Sequence, residues 1–121
     1  MIGILLIVAA GTLVALANIS LKQGLTQVNS LLSQTSLTLQ GIRYLAGNIY
    51  IWLGMLGLGL GFVFWMAGMA RTQLSSAYPL FVGVEYTLIM FLSLLILTES
   101  FTPAKIVGII LVFIGIIIIV R

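Results

Sequence analysis

The 121-residue sequence contains no cysteine and no histidine. Thiolate nucleophiles, disulfides, haem or zinc ligation through sulfur or imidazole, and imidazole acid–base chemistry are therefore all excluded. Charge is nearly absent too: five basic and two acidic residues make up 6% of the chain, against about 25% in soluble domains. So few charges do not cover a water-soluble globule, and lipid has to be the solvent for most side chains. The formal charge of +3 comes from basic residues that stand singly, so it points to lipid head groups and gives no basis for nucleic-acid binding. No phosphate-cradling glycine loop, no nucleophile beside a base and no pair of carboxylates placed to share acid–base work occurs. No enzymatic activity, catalytic residue, cofactor or metal site is expected.

What the sequence does hold is apolar: 62% of residues are hydrophobic. A bilayer core about 30 Å thick needs roughly 20 apolar residues in a helix, and four runs approach or meet that length. The first, Ile2 to Leu21, has no charge before Lys22. A cleaved signal peptide is the competing reading, because Ala15-Leu16-Ala17 has the small-x-small form, but a basic leader is missing and the apolar run is too long. The second run, Ile49 to Ala70, opens with Tyr50 and Trp52 and carries Trp65 near its far end, all suited to interfacial anchoring. The third covers Leu74 to Leu97. A polar turn, Thr98 to Pro103, precedes the fourth, Ala104 to Val120, which Arg121 stops. The fold class predicted is all-α: one polytopic domain of four transmembrane helices over residues 1–121, with spans at about 2–21, 49–70, 74–97 and 104–120. The segment 23–48 is too polar to cross. Leu25, Val28, Leu32, Leu39, Ile42 and Leu45 recur at multiples of three or four residues, which predicts partly helical structure in the interface. The stripe breaks at Thr35 and Ser36, and disorder over Gln34 to Thr38 competes with helix there.

Four spans put both termini on one side. Lys22, Arg43 and Lys105 then face Arg71, Arg121 and the terminal amine across the membrane, so the positive-inside rule expresses almost no preference. A chain that inserts both ways and pairs head to tail would show such a balance, and so would a chain with few charges. Gly54, Gly61 and Gly68 lie seven apart on one face of the second span, where they let a neighbouring backbone approach. Packing within one subunit is the simpler use of that face. Gly108 and Gly115 repeat the spacing in the fourth span, and they are candidates for a dimer interface because so small a bundle has little interior to bury its last helix.

Glu85 lies near the centre of the third span, where insertion of a charged residue costs about 2.5 to 3.5 kcal/mol, so it should face a cavity or a partner. Two roles stay open: a proton or cation site used in transport, or a carboxyl that hydrogen-bonds a neighbour such as Asn18 or Tyr78. Tyr78, Phe81 and Glu85 share one face of that helix. Pro79 removes an amide donor and Gly83 keeps the next turn slender, which makes the two a candidate hinge. In the first span Asn18 and Lys22 lie one turn apart, able to hold a phosphate or carboxylate, although a span-ending lysine also simply snorkels. The candidate substrate-binding residues are thus Glu85, Tyr78, Phe81, Asn18 and Lys22.

The four short spans, the lysine ending the first, the segment Ser76-Ala77-Tyr78-Pro79-Leu80, and the run Leu97 to Pro103 followed by Gly108 and Gly115 together resemble the drug/metabolite transporter superfamily over nearly the whole chain. Two branches compete, the small multidrug resistance proteins and the four-helix EamA-like proteins similar to flippase subunits for undecaprenyl-phosphate aminoarabinose. The first branch implies a carboxylate in the first span, where this chain has Val14. Its third span implies a tyrosine, an aromatic and a Gly-x-Gly hinge; Tyr78, Phe81 and Gly83 match, and Glu85 replaces the second glycine. The Tyr78-Pro79 pair and the Gln/Ser-rich first loop sit better with the second branch. The resemblance implies a small multidrug resistance-like bundle in the bacterial inner membrane, working as a homodimer or paralogous heterodimer on a small-molecule or lipid-linked substrate. A proton-coupled cation exporter is the first alternative. An accessory subunit of a membrane glycosyltransferase or larger transporter is another, and a channel built on Glu85 is a third.

Overall fold

The computed structural model describes residues 1–32 and 39–120. The break in the stripe at Thr35 and Ser36, the disorder expected over 34–38 and the closing Arg121 lie outside the described residues. Five helices form: α1 (Ile2–Leu32), α2 (Leu39–Gly47), α3 (Ile49–Met69), α4 (Leu74–Ile96) and α5 (Pro103–Val120). Three of them, α1, α3 and α4, are long and apolar enough to cross a membrane; α5 is apolar and shorter. Helix is the form this composition favours, because each backbone donor and acceptor is satisfied within its own segment where water is lacking.

The helices stand in a row, α3–α1–α4–α5. Helix α1 packs along both α3 and α4, those two touch each other little, and among the described residues α5 packs on α4 alone. The α1–α3 seam follows directly from the glycine spacing. Ideal Cβ atoms built on Gly54, Gly61 and Gly68 would fall 2.5, 2.6 and 2.7 Å from side-chain atoms of Leu21, Val14 and Ile7 respectively. Three α1 side chains seven residues apart thus enter three antiparallel gaps in α3, and Ile7 is completely buried as a result. On an adjoining face of α1, Gly11 admits α4, with the Phe81 carbonyl oxygen 3.1 Å from where a Cβ would lie.

Helix α1 is longer than the expected span of residues 2–21: it continues unbroken through Lys22 to Leu32, so the interfacial segment expected over 23–48 begins as helix. No proline interrupts it, Val28 is buried, and Gly24 lies against Ile51 at the start of α3. The hydroxyls of Thr26 and Ser30 donate back to the carbonyls of Lys22 and Gln27, at 2.8 and 2.7 Å, which absorbs polar groups that otherwise favour loops. Asn48 secures the same region. Its Oδ1 accepts from the Tyr50 amide, capping α3, while its Nδ2 donates to Gln27 Oε1 on the α1 extension, both at 3.0 Å. Asn48→Ala is expected to cost about 1 kcal/mol, the usual worth of an N-cap, read as a lower unfolding midpoint in detergent. An unchanged midpoint would mean that the cap carries no stability.

Helix α4 runs continuously through Pro79, so no break accompanies that residue. At the far end of α4, Thr98 adopts a left-handed backbone, φ 51°, and the Glu99 amide bonds back to the Ser93 carbonyl at 3.3 Å. The chain reverses there and enters α5 at Pro103.

Candidate functional site

The α4 face singled out by the sequence meets α1 and α3 in two adjoining places. Near the start of α4 the rings of Tyr78 and Phe81 pack on Trp65 of α3, with centroids 5.9 and 4.6 Å apart. Together with Val14 of α1 and with Gly61 and Phe62 of α3 they line a cavity of about 540 Å³. The hollow borders the α1–α3 seam, where Val14 fills the gap at Gly61, and is bounded beyond it by Phe62 and Trp65 of α3 and by the two α4 rings. Phe62 and Tyr78 are 60% and 59% exposed, so the hollow opens sideways onto the surface that the bilayer would cover.

One turn further along both helices the character changes. Asn18, four residues beyond Val14, donates from Nδ2 to Oε1 of Glu85, four residues beyond Phe81, at 3.0 Å. Both side chains are half-buried. The amide donates one N–H to one carboxyl oxygen, so among the described residues Oε2 has no protein donor. Glu85 therefore does not stand in the wall of the aromatic hollow, but next to it, at the twelfth of the 23 residues of α4.

Lys22 lies apart from this pair. Its ammonium is 3.8 Å from Glu99 on the α4–α5 turn, with the two side chains 58% and 41% exposed. The amide and ammonium expected to act together on α1 are thus engaged separately, Asn18 with Glu85 and Lys22 with Glu99. A pair this exposed contributes at most about 1 kcal/mol, so an incoming anion can compete for Lys22.

Of the residues singled out from sequence, Asn18 and Glu85 are in contact and Tyr78 and Phe81 share the hollow. Sequence reasoning missed Trp65, read there as an interfacial anchor, whose ring instead closes the hollow between α3 and α4. Its spacing of four from Gly61 and three from Gly68 placed it on the α1-facing side of α3 and was the available signal. Glu99 was missed as well, because nothing local ties that turn to the end of α1. The proposed hinge residue Gly83 is buried against α5, an ideal Cβ lying 3.2 Å from Ile116 Cδ1. By contrast, ideal Cβ atoms on Gly108 and Gly115 meet nothing within 4 Å among the described residues, so these two glycines are not consumed by packing on them. Among the described residues no cluster of three or more acidic side chains is placed to hold a metal ion.

Comparison with known proteins places this arrangement. The model of the EamA-like transporter family matches residues 1–121. The chain is 27% identical over 120 residues, 94% of its length and 88% of the relative's, to the probable 4-amino-4-deoxy-L-arabinose-phosphoundecaprenol flippase subunit ArnF of Proteus mirabilis. It is 28% identical over 79 residues, 65% of its length and 68% of the relative's, to the probable subunit ArnE of the same named flippase in Pseudomonas savastanoi. No solved structure matches. With a family match over its full length and three helices able to cross a bilayer, this chain is an integral membrane protein that belongs to the EamA-like transporter family, within the drug/metabolite transporter superfamily.

Proposed function

We propose that the chain crosses the bacterial inner membrane four times and acts as one subunit of a dimeric flippase for a lipid-linked amino sugar of the undecaprenyl-phosphate type. The fourth crossing is α5, whose 18 residues rise about 27 Å, close to the thickness of the hydrocarbon core. Gly108 and Gly115 form the seam with a second copy or a paralogue, which their unoccupied Cβ positions support.

The observation that carries the reading is the juxtaposition of an open aromatic hollow with a mid-helix carboxyl that retains one oxygen without a protein donor. A head group leaving water needs polar partners at depth, and its lipid tail needs a sideways exit. Glu85 supplies a counter-charge for an amine, Asn18 holds that carboxyl in place, and Trp65, Tyr78 and Phe81 offer flat apolar faces to the sugar ring. Lys22 stands one helical turn beyond Asn18, about 6 Å along α1, and takes the phosphate after exchanging its weak bond to Glu99. The relatives' named substrate carries both an amine and a phosphate on one sugar. Val14, at the position where the small multidrug branch has its carboxylate, is part of the hollow's apolar wall, which argues against the proton-coupled cation exporter.

The test uses phosphatidylcholine vesicles that contain an amino-sugar polyprenyl phosphate and the protein, alone or with its paralogue. Impermeant trinitrobenzenesulfonate added outside is expected to modify the whole amine pool with the protein present and the outer-leaflet pool without it. Trp65→Ala should slow the inner pool about five- to tenfold, the effect of one aromatic contact. Failure of both preparations to expose the inner pool would overturn the flippase reading and leave an accessory subunit.

A further inference from the structure

A second cavity, of about 380 Å³, lies between α4 and α5. It shares no lining residue with the aromatic hollow, and it adjoins the residues proposed for transport only at Gly108, on the α5 seam, and at Glu99, the partner of Lys22. Its lining is graded. Glu99, Phe101 and Lys105 form one end, beside the α4–α5 turn, while Met90, Ile109 and Val112 form the other, further into the helices. Seven residues of α5 separate Lys105 from Val112, a rise of about 10 Å. The floor between them is low because Gly108 carries no side chain and nothing lies within 4 Å of where its Cβ would be.

The charges at the polar end are unequal. Glu99 is already answered by Lys22. Lys105 has only the Ser100 carbonyl oxygen, 3.5 Å from Nζ, and the ring of Phe101, 5.8 Å to its centroid. Among the described residues it has no carboxylate partner. The groove therefore presents one cation without a carboxylate partner beside the α4–α5 turn and a mainly apolar channel, interrupted by Tyr86 and Ser93, leading between the helices. We infer that the α4–α5 groove binds one anionic glycerophospholipid, with its phosphate at Lys105 and an acyl chain along Ile109 and Val112. A head group with its own ammonium fits less well, since it would bring a second positive charge against Lys105 while Glu99 is engaged.

The experiment uses full-length protein in phosphatidylcholine vesicles doped with phosphatidylglycerol that bears a mid-chain diazirine, irradiated and mapped by peptide mass spectrometry. Adducts are expected to concentrate on Met90, Ile109 and Val112, about fivefold above those from a phosphatidylcholine diazirine analogue. One lysine near an anionic lipid accounts for a factor of that size. Lys105→Gln should bring the two lipids level, without altering background labelling of the exposed face of α3. Val112→Trp, which fills the channel and keeps the cation, should also remove the concentration of adducts. Even labelling over all exposed helix faces would overturn the inference, as would equal labelling by the two lipids in the unaltered protein. Adduct-free groove peptides would overturn it as well, with or without cross-links between two copies at Gly108. Each of these readings is independent of whether the protein transports anything.

Discussion

Glutamine at position 85 is expected to slow transport of an amine-bearing lipid-linked sugar about ten- to hundredfold, the range set by losing one charge-assisted hydrogen bond of about 1.5 to 3 kcal/mol. The fold should not suffer. Asn18 donates to Glu85 Oε1, and a glutamine side-chain oxygen accepts the same bond, so the α1–α4 contact survives in Glu85→Gln. That separation makes the substitution informative. If the carboxyl exists only to satisfy Asn18 between two helices, the glutamine protein transports as well as the original. If the carboxyl is the counter-charge for the substrate amine, transport falls while elution volume and unfolding midpoint stay unchanged. Glu85→Ala is a weaker test, since it also strands the Asn18 amide inside the helix contact. A companion measurement sharpens the result: a neutral sugar on the same lipid carrier should move at similar rates through both proteins, because it offers the carboxyl no ammonium.

The helices were legible because their cause is local. Runs of aliphatic residues bounded by Lys22, Asn48, Arg71 and Pro103 mark where backbone enters and leaves an apolar setting, and the observed α3 and α4 begin at the residues the runs indicate. The continuation of α1 to Leu32 was not legible. It depends on Gly24 meeting Ile51 at the start of α3 and on Asn48 reaching Gln27, contacts between segments more than twenty residues apart. The meeting of Asn18 with Glu85 was one of two partnerships the sequence left open for the acid, and an intramembrane carboxyl has few polar groups to choose from. What that contact is for lies beyond pattern reading. Trp65 shows the opposite failure: its type and its place near a helix end suit an anchor, whereas its ring contacts with Tyr78 and Phe81 come from a helix that nothing local brings beside it. The pairing of Lys22 with Glu99 needs the row order of the helices, which brings the α4–α5 turn beside Lys22 of α1.

That row order rests on the α1–α3 seam, and a matched pair of substitutions two residues apart tests it. Gly57→Val is expected to destabilise the protein by about 1 to 3 kcal/mol, the usual cost of overpacking, whereas Gly59→Val should be neutral. An ideal Cβ on Gly57 would lie 2.9 Å from the Cβ of Ala17, an atom with no rotamer through which to retreat, so the helices themselves must part; on Gly59 it would meet nothing within 4 Å. Both substitutions make the same change in helix propensity and hydropathy, in the same helix, and differ only in what they touch. The shift in unfolding midpoint during titration of mixed micelles with denaturing detergent reads the difference, and equal shifts for the two would refute the seam. The consequence for function follows from geometry. Trp65 rides on α3 two turns from Gly57, so parting α3 from α1 carries the indole away from Tyr78 and Phe81 and opens the hollow. Gly57→Val should therefore slow transport even where the protein remains folded; Gly59→Val, at a position that lines the hollow itself, serves as the control for stability alone.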